Sequence, residues 1–321
     1  MRRRACLAGL AIAAFAATSG AHAGAWPERP ITLVVPFAAG GSTDVTARLL
    51  AEKLGAELGQ TIIVDNRSGA GSNLGSAFAA KSAPDGYTLL LATSTLAANV
   101  SIYKRMGFDL RKDLIPVSQL TTIPNVLTIN NNVPAKTVPE FIAYVGSSKG
   151  AVNYGSSGNG ASQHLAAELF KKMAKVDMAH VPYRGGALAN NDLIGGQIQV
   201  VFAPLIEVLP YIQAGTLRSL AVTTKDRIRL LPDLPTMNET LPGFEVVLWN
   251  GLFVPTGTPQ PIVDRLAAAT QKTMADPAVQ KQVNEQGSTV VASSPGDFKS
   301  YLDDEIQKWS ELVKLSGVSL D

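Results

Sequence analysis

The segment that most constrains this chain is Ile31-Thr-Leu-Val-Val-Pro-Phe-Ala-Ala-Gly-Gly-Ser-Thr-Asp-Val-Thr-Ala-Arg48. It reads as an apolar strand, a double-glycine turn, and a helix opening at Ser42, Thr43 and Asp44. A helix that starts this way presents unpaired backbone N–H groups and a partial positive charge, which suits an anion. No Lys or Arg stands in the turn itself. Three further segments repeat the device: Asn66 to Gly75, Asn153 to His164, and His180 to Ala187. In open α/β sheets ligands bind at the carboxyl ends of strands, so four such turns can meet at one cleft.

Short β-branched runs alternate with helical patterns almost throughout. Strands are expected at Ile31–Pro36, Thr61–Asp65, Thr88–Ala92, Ile115–Leu120, Val126–Asn130, Val152–Gly155, Met178–Pro182, Ile198–Phe202, Leu217–Thr223 and Gly251–Val254. Between them lie helical stretches such as Asp44–Leu58, Ser162–Ala174 and Leu188–Ile194, with Gly59 closing the first. The tail reads as three helices, Ile262–Met274, Pro277–Glu285 and Pro295–Leu315. The stripe Phe298, Leu302, Ile306, Trp309 and Val313 of the last is expected in the core. The pattern predicts an α/β fold whose mostly parallel sheets are flanked by helices. Proline clusters near residues 124–139 and 232–255 predict two crossings between lobes. Lobe 1 is then 24–124 plus 250–321, and lobe 2 is 125–249, with a hinged cleft between them.

Residues 1–23 read as a secretory signal, removed on export. Arg2, Arg3 and Arg4 precede a short apolar run, and Ala21-His22-Ala23 has the form of a cleavage site. The one cysteine, Cys6, leaves with it, so the mature chain has neither disulfide nor thiolate chemistry. Of 28 Lys and Arg, three lie in that segment, so 25 face 26 Asp and Glu. That balance offers no basic face for nucleic acid. The expected product is an exported, periplasmic, monomeric protein.

Catalytic and cofactor signatures are weak. Gly69 to Gly75 spaces its glycines as G-x-G-x-x-x-G, one residue too long for a dinucleotide fingerprint. Gly155-Ser-Ser-Gly-Asn-Gly160 does not match the G-x-S-x-G elbow. His164 and His180 have no carboxylate at ligand spacing, so neither a metal site nor a cofactor is expected. His164 is read as a packed, hydrogen-bonded imidazole, and Asp44 as a stabiliser of its helix start. A contact of Asp44 with the ligand would favour one carrying an amine. Arg184 is either the anion clamp or a surface arginine beside a glycine turn. An exported hydrolase using Ser157 or His164 stands as the alternative to a binding protein.

Taken together, Pro36 to Arg48, Gly155 to Leu165 and His180 to Gly186 resemble motifs of one family, joined by Leu220 to Thr224, Leu234-Pro-Thr236 and Trp249 to Pro255. It is the periplasmic solute-binding proteins of the tripartite tricarboxylate transporter, the Bug or TctC-like proteins. The resemblance spans about Trp26 to Val313 and implies a two-lobed, type II-like periplasmic binding protein without enzymatic activity. It implies a small carboxylate ligand (di- or tricarboxylate, acidic amino acid or aromatic acid) held by backbone amides, hydroxyls and water. It also implies delivery to membrane permease subunits; a membrane sensor stands as a competing partner, which the sequence does not separate from the permease. Carried onto this chain, the ligand set is Phe37, Gly40, Gly41, Ser42, Thr43, Thr93 and Ser94 from one side. Gly158, Asn159, Gly160, Tyr183, Arg184, Gly185 and Ala203 come from the other. Ala161 departs from the pattern, standing where relatives carry Ser or Thr, so one hydroxyl is missing.

Overall fold

A computed structural model describes residues 26–148 and 150–316. The expected signal at 1–23 lies outside the described residues. The chain opens with β1 (Ile31–Val35), α1 (Ser42–Leu58), β2 (Ile62–Asn66), α2 (Asn73–Ala80), β3 (Thr88–Thr93), α3 (Ser94–Ile102) and α4 (Leu110–Asp113). It continues through β4 (Leu114–Asn130), α5 (Val138–Ser147), β5 (Asn153–Ser156), α6 (Ser162–Ala174), β6 (Ala179–Pro182), α7 (Gly186–Ile194), β7 (Val200–Pro204), α8 (Leu205–Gln213) and β8 (Leu217–Val222). It ends with α9 (Met237–Thr240), β9 (Val247–Pro255), α10 (Gln260–Ala275), α11 (Pro277–Glu285), β10 (Thr289–Val290) and α12 (Pro295–Ser316).

The strands form one continuous path, β2-β1-β3-β9-β4-β7-β5-β6, with β8 and β10 also on β4. Parallel pairs flank each end: β1 with β2 and β3, and β5 with β6 and β7. The middle is antiparallel, because β4 and β9 carry the chain across. Sequence reading expects two strands, Ile115–Leu120 and Val126–Asn130, where the molecule has the single β4. Its two prolines explain how it stays continuous. Pro116 sits beside a register shift against β9, where a missing N–H is tolerated. Pro124 is the last residue paired with β9, and Asn125 the first paired with β7. The strand changes partners where proline stands.

The return crossing is tied to that same point. Thr223 N–H donates to Asn125 O (2.9 Å), Val246 N–H donates to Thr223 O (3.0 Å), and the Thr223 hydroxyl also reaches Asn125 O (3.1 Å). Beneath, the largest apolar cluster runs through both halves of the sheet. It joins Leu90 and Leu96 to Phe141, Phe170 and Phe202 by way of Phe298, Leu302, Ile306 and Trp309 of α12. The expected stripe of the last helix is thus buried, and α12 packs on both α3 and α6. Glu305 anchors it, accepting from the indoles of Trp249 and Trp309 at 2.8 Å each.

Candidate functional site

The β1–α1 turn is built around Asp44. Gly40 takes a left-handed φ of 86°, open to glycine at little cost, which lets its N–H donate to Asp44 Oδ2 (2.9 Å). Arg48 Nε (2.9 Å) and Asn66 Nδ2 (3.0 Å) complete the shell. Burial raises the Asp44 pKa, but these three donors outweigh it and hold the carboxyl below its usual range. Asp44 is therefore engaged within the turn by Gly40, Arg48 and Asn66. Gly41 caps α1 with no side-chain bond, and Ser42 and Thr43 are buried at its start. Two helices on the facing side also begin without side-chain caps, α6 after Ala161 and α7 after Gly185. Gly185 comes close to the first turn, since a Cβ there would lie 3.0 Å from Ala38 Cβ.

A narrow pocket lies between these starts. Phe37, Gly41, Ser42, Thr43 and Thr93 line it from one side, and Ser157, Ala161, Gln163, Gly185 and Gly186 from the other. It is also lined by a side chain that sequence reading missed, Glu207 in the first turn of α8. Ser42 N–H donates to Glu207 Oε1 (2.8 Å), Asn190 Nδ2 to Oε2 (3.2 Å), and Gln163 Nε2 to Oε2 (3.5 Å). Some of the residue reaches the surface, but its carboxylate is enclosed, and burial pushes its pKa up against those donors. Gly186 makes the seat possible, since a Cβ there would stand 2.1 Å from Glu207 Oε2. No Lys, Arg or His lines the pocket, and about 20 Å³ remains open, room for one water.

A wider cavity of about 510 Å³ adjoins it, sharing Phe37 and Ser157. Its lining includes Gly158, Asn159, Tyr183 and Arg184, with Tyr103 and the 68–72 turn opposite. Tyr183 OH donates to Asp192 Oδ2 (2.6 Å), and burial with that carboxylate pushes its pKa up to about 12. Arg184 is exposed and has no ion-pair partner among the described residues.

Of the residues expected to bind ligand, Phe37, Gly41, Ser42, Thr43, Thr93 and Gly185 line the pocket, and Gly158, Asn159, Tyr183 and Arg184 the cavity. Four line neither. Gly40 is exposed, its N–H taken by Asp44. Ser94 is fully buried at the start of α3, its hydroxyl unpartnered. Gly160 gives its N–H to His164 Nδ1 (3.1 Å), and Ala203 sits in an apolar cluster. Glu207 escaped notice because the turn before it holds no glycine. The available signal was different: one carboxylate in the apolar run Leu205-Ile-Glu-Val-Leu209.

His164 and His180 stack at 4.1 Å between centroids, with Tyr154 4.7 Å from His180 and 6.3 Å from His164. Burial holds His164 at about 4 and His180 at about 3, with Lys171 adding to the first and His164 to the second. His180 Nε2 meets Ser156 Oγ at 2.6 Å. Ser156 is fully buried, and an imidazole that weakly basic makes a poor general base. The three rings pack against one another in the interior.

The curled α/β sheet and its cleft define a periplasmic-binding-protein fold. Residues 46–318 match the TctC profile, the tripartite tricarboxylate transporter family receptor, and the chain belongs to that family. It is similar to BugT of Bordetella pertussis (strain Tohama I), at 35% identity over 323 residues, 100% of this chain and 99% of that one. Among solved structures it resembles periplasmic binding protein BugD, with TM-score 0.89 and 35% identity over 92% of this chain and 99% of that one. R. palustris Rpa4515 with adipate has the same score, identity and coverage. MatC from Rhodopseudomonas palustris with bound malate gives 0.86 at 33%, covering 90% of this chain and all of that one. These relatives are solute-binding receptors and not enzymes, so the hydrolase alternative is set aside. Among the described residues no helix is long and apolar enough to cross a membrane.

Proposed function

We propose that this chain is a periplasmic receptor, exported by its 1–23 signal, that closes on a small organic acid and hands it to a tripartite tricarboxylate-type permease. The observation that carries this reading is the meeting of three helix starts whose own N-cap residues make no side-chain bond, α1, α6 and α7, at one cleft edged by Arg184, unpaired among the described residues. Adipate and malate in the related proteins support an acid as the ligand class. The lobes of this reading are 24–124 plus 250–321 and 125–249, moving about Asn125 and Thr223.

Because Glu207 already holds the Ser42 N–H, the acid group belongs toward α6, α7 and Arg184. A hydrogen bond to a charged group is worth about 1.5–3 kcal/mol. Four or five of them, less the cost of ordering the cleft, reach about −8 kcal/mol, near micromolar affinity. The test is a thermal-shift panel on the purified mature chain, spanning dicarboxylates, tricarboxylates, amino acids and aromatic acids beside their amides. At least one acid is expected to raise the melting temperature where its amide does not. A flat response across the panel overturns the reading.

A further inference from the structure

We propose that Glu207 sets the specificity of this cleft, and that the solute is a zwitterion whose positively charged nitrogen docks on it. The inference rests on the receptor reading and narrows its ligand class. Glu207 is the one charged side chain lining the narrow pocket, and all its partners are neutral donors: the backbone N–H and hydroxyl of Ser42 and two amides. None of these donors carries a formal charge, and the Gln163 contact is long at 3.5 Å. A buried charge is ordinarily paired, yet no cation of this chain lies within ion-pair distance of it among the described residues. The missing counter-charge is what a solute supplies.

The seat is built for that carboxylate. Gly186 leaves it the space a Cβ would take, and Asn190, which holds it, keeps a second buried acceptor, Oδ1, without a partner. A plain dicarboxylate entering this pocket brings like charge against Glu207 in a poorly solvated space, which disfavours it. An ammonium or protonated ring nitrogen reverses the sign. The acid end of the same molecule then faces the adjoining cavity, where Arg184 stands unpaired and which meets the pocket at Phe37 and Ser157. Negative floor and positive rim select a dipolar solute.

The experiment is calorimetric titration of the mature chain near neutral pH with matched series. One comprises dicarboxylates from malonate to adipate, the other aspartate, glutamate and ω-amino acids from β-alanine to 6-aminohexanoate. An amine-bearing acid is expected to bind at least about tenfold more tightly than the dicarboxylate of equal length. Glu207→Gln is expected to reverse that preference, with Glu207→Ser as a second variant and circular dichroism checking the fold of both. A dicarboxylate binding the wild type as tightly as its amino partner overturns the proposal. So does a folded Glu207→Gln or Glu207→Ser chain with its preference unchanged. Silence of the wild type to every compound in both series overturns the proposal as well, while the receptor reading falls only if the wider acid panel is also flat.

Discussion

Glu207 is a lone acid in a helix whose neighbours, Leu205, Ile206, Val208 and Leu209, are all apolar. A carboxylate placed there costs desolvation, and only the Ser42, Asn190 and Gln163 donors offset it. Its pKa is raised by burial above the ordinary value of 4.5. The folded state therefore binds this proton more readily than the unfolded state does. The associated stability is full below pH 4.5 and is lost as pH rises through the folded-state pKa. Glu207→Gln has no such titration. The stability of wild type relative to Glu207→Gln is thus expected to fall as pH rises above about 4.5. Urea melts of both proteins across that range measure it, and a gap independent of pH would contradict the assignment of a raised carboxyl.

At the scale of elements, β9 and α12 fit together because one residue lacks a side chain. A Cβ on Gly251 would stand 2.2 Å from Phe298 Cζ, and Phe298 is fully buried with the Trp249 and Phe253 rings around it. Gly251→Ala is expected to cost about 1–3 kcal/mol by overpacking, read as a lower urea midpoint with unchanged slope. A midpoint equal to wild type would mean that α12 can shift freely. Much of this level was legible beforehand. Ser162–Ala174 and Pro277–Glu285 stand where periodicity and first-turn proline place them. The α1 start, the glycine turns and the buried stripe of α12 also follow from local pattern.

What was hidden was set by tertiary partners. The joining of two expected strands into β4 depends on β9 giving way to β7 and β8, which no local window contains. The role of Glu207 depends on Ser42, 165 positions earlier in the chain. Gly160 lies in a family motif and Ala203 follows an expected strand, yet the first spends its N–H on His164 and the second packs among Leu193, Val201 and Val208.

Over the whole molecule, the two halves of the sheet share β4, and α12 lies across both. Any opening of the cleft must bend a paired strand and shear a packed helix, so small closure motions are expected in place of a free swing. The second crossing is different in kind. Lys225, Arg227 and Arg229 are exposed there, beyond the Thr223 tie. The segment after them carries β9, which lies between β3 and β4 with a ladder on each edge. A brief trypsin nick at 225–229 should therefore leave two fragments that run apart on a denaturing gel yet elute as one particle from a sizing column. Dissociation under native conditions would contradict it. The covalent link at that crossing is dispensable for cohesion, and the protein becomes in effect a complementing pair of pieces zipped by its central strand.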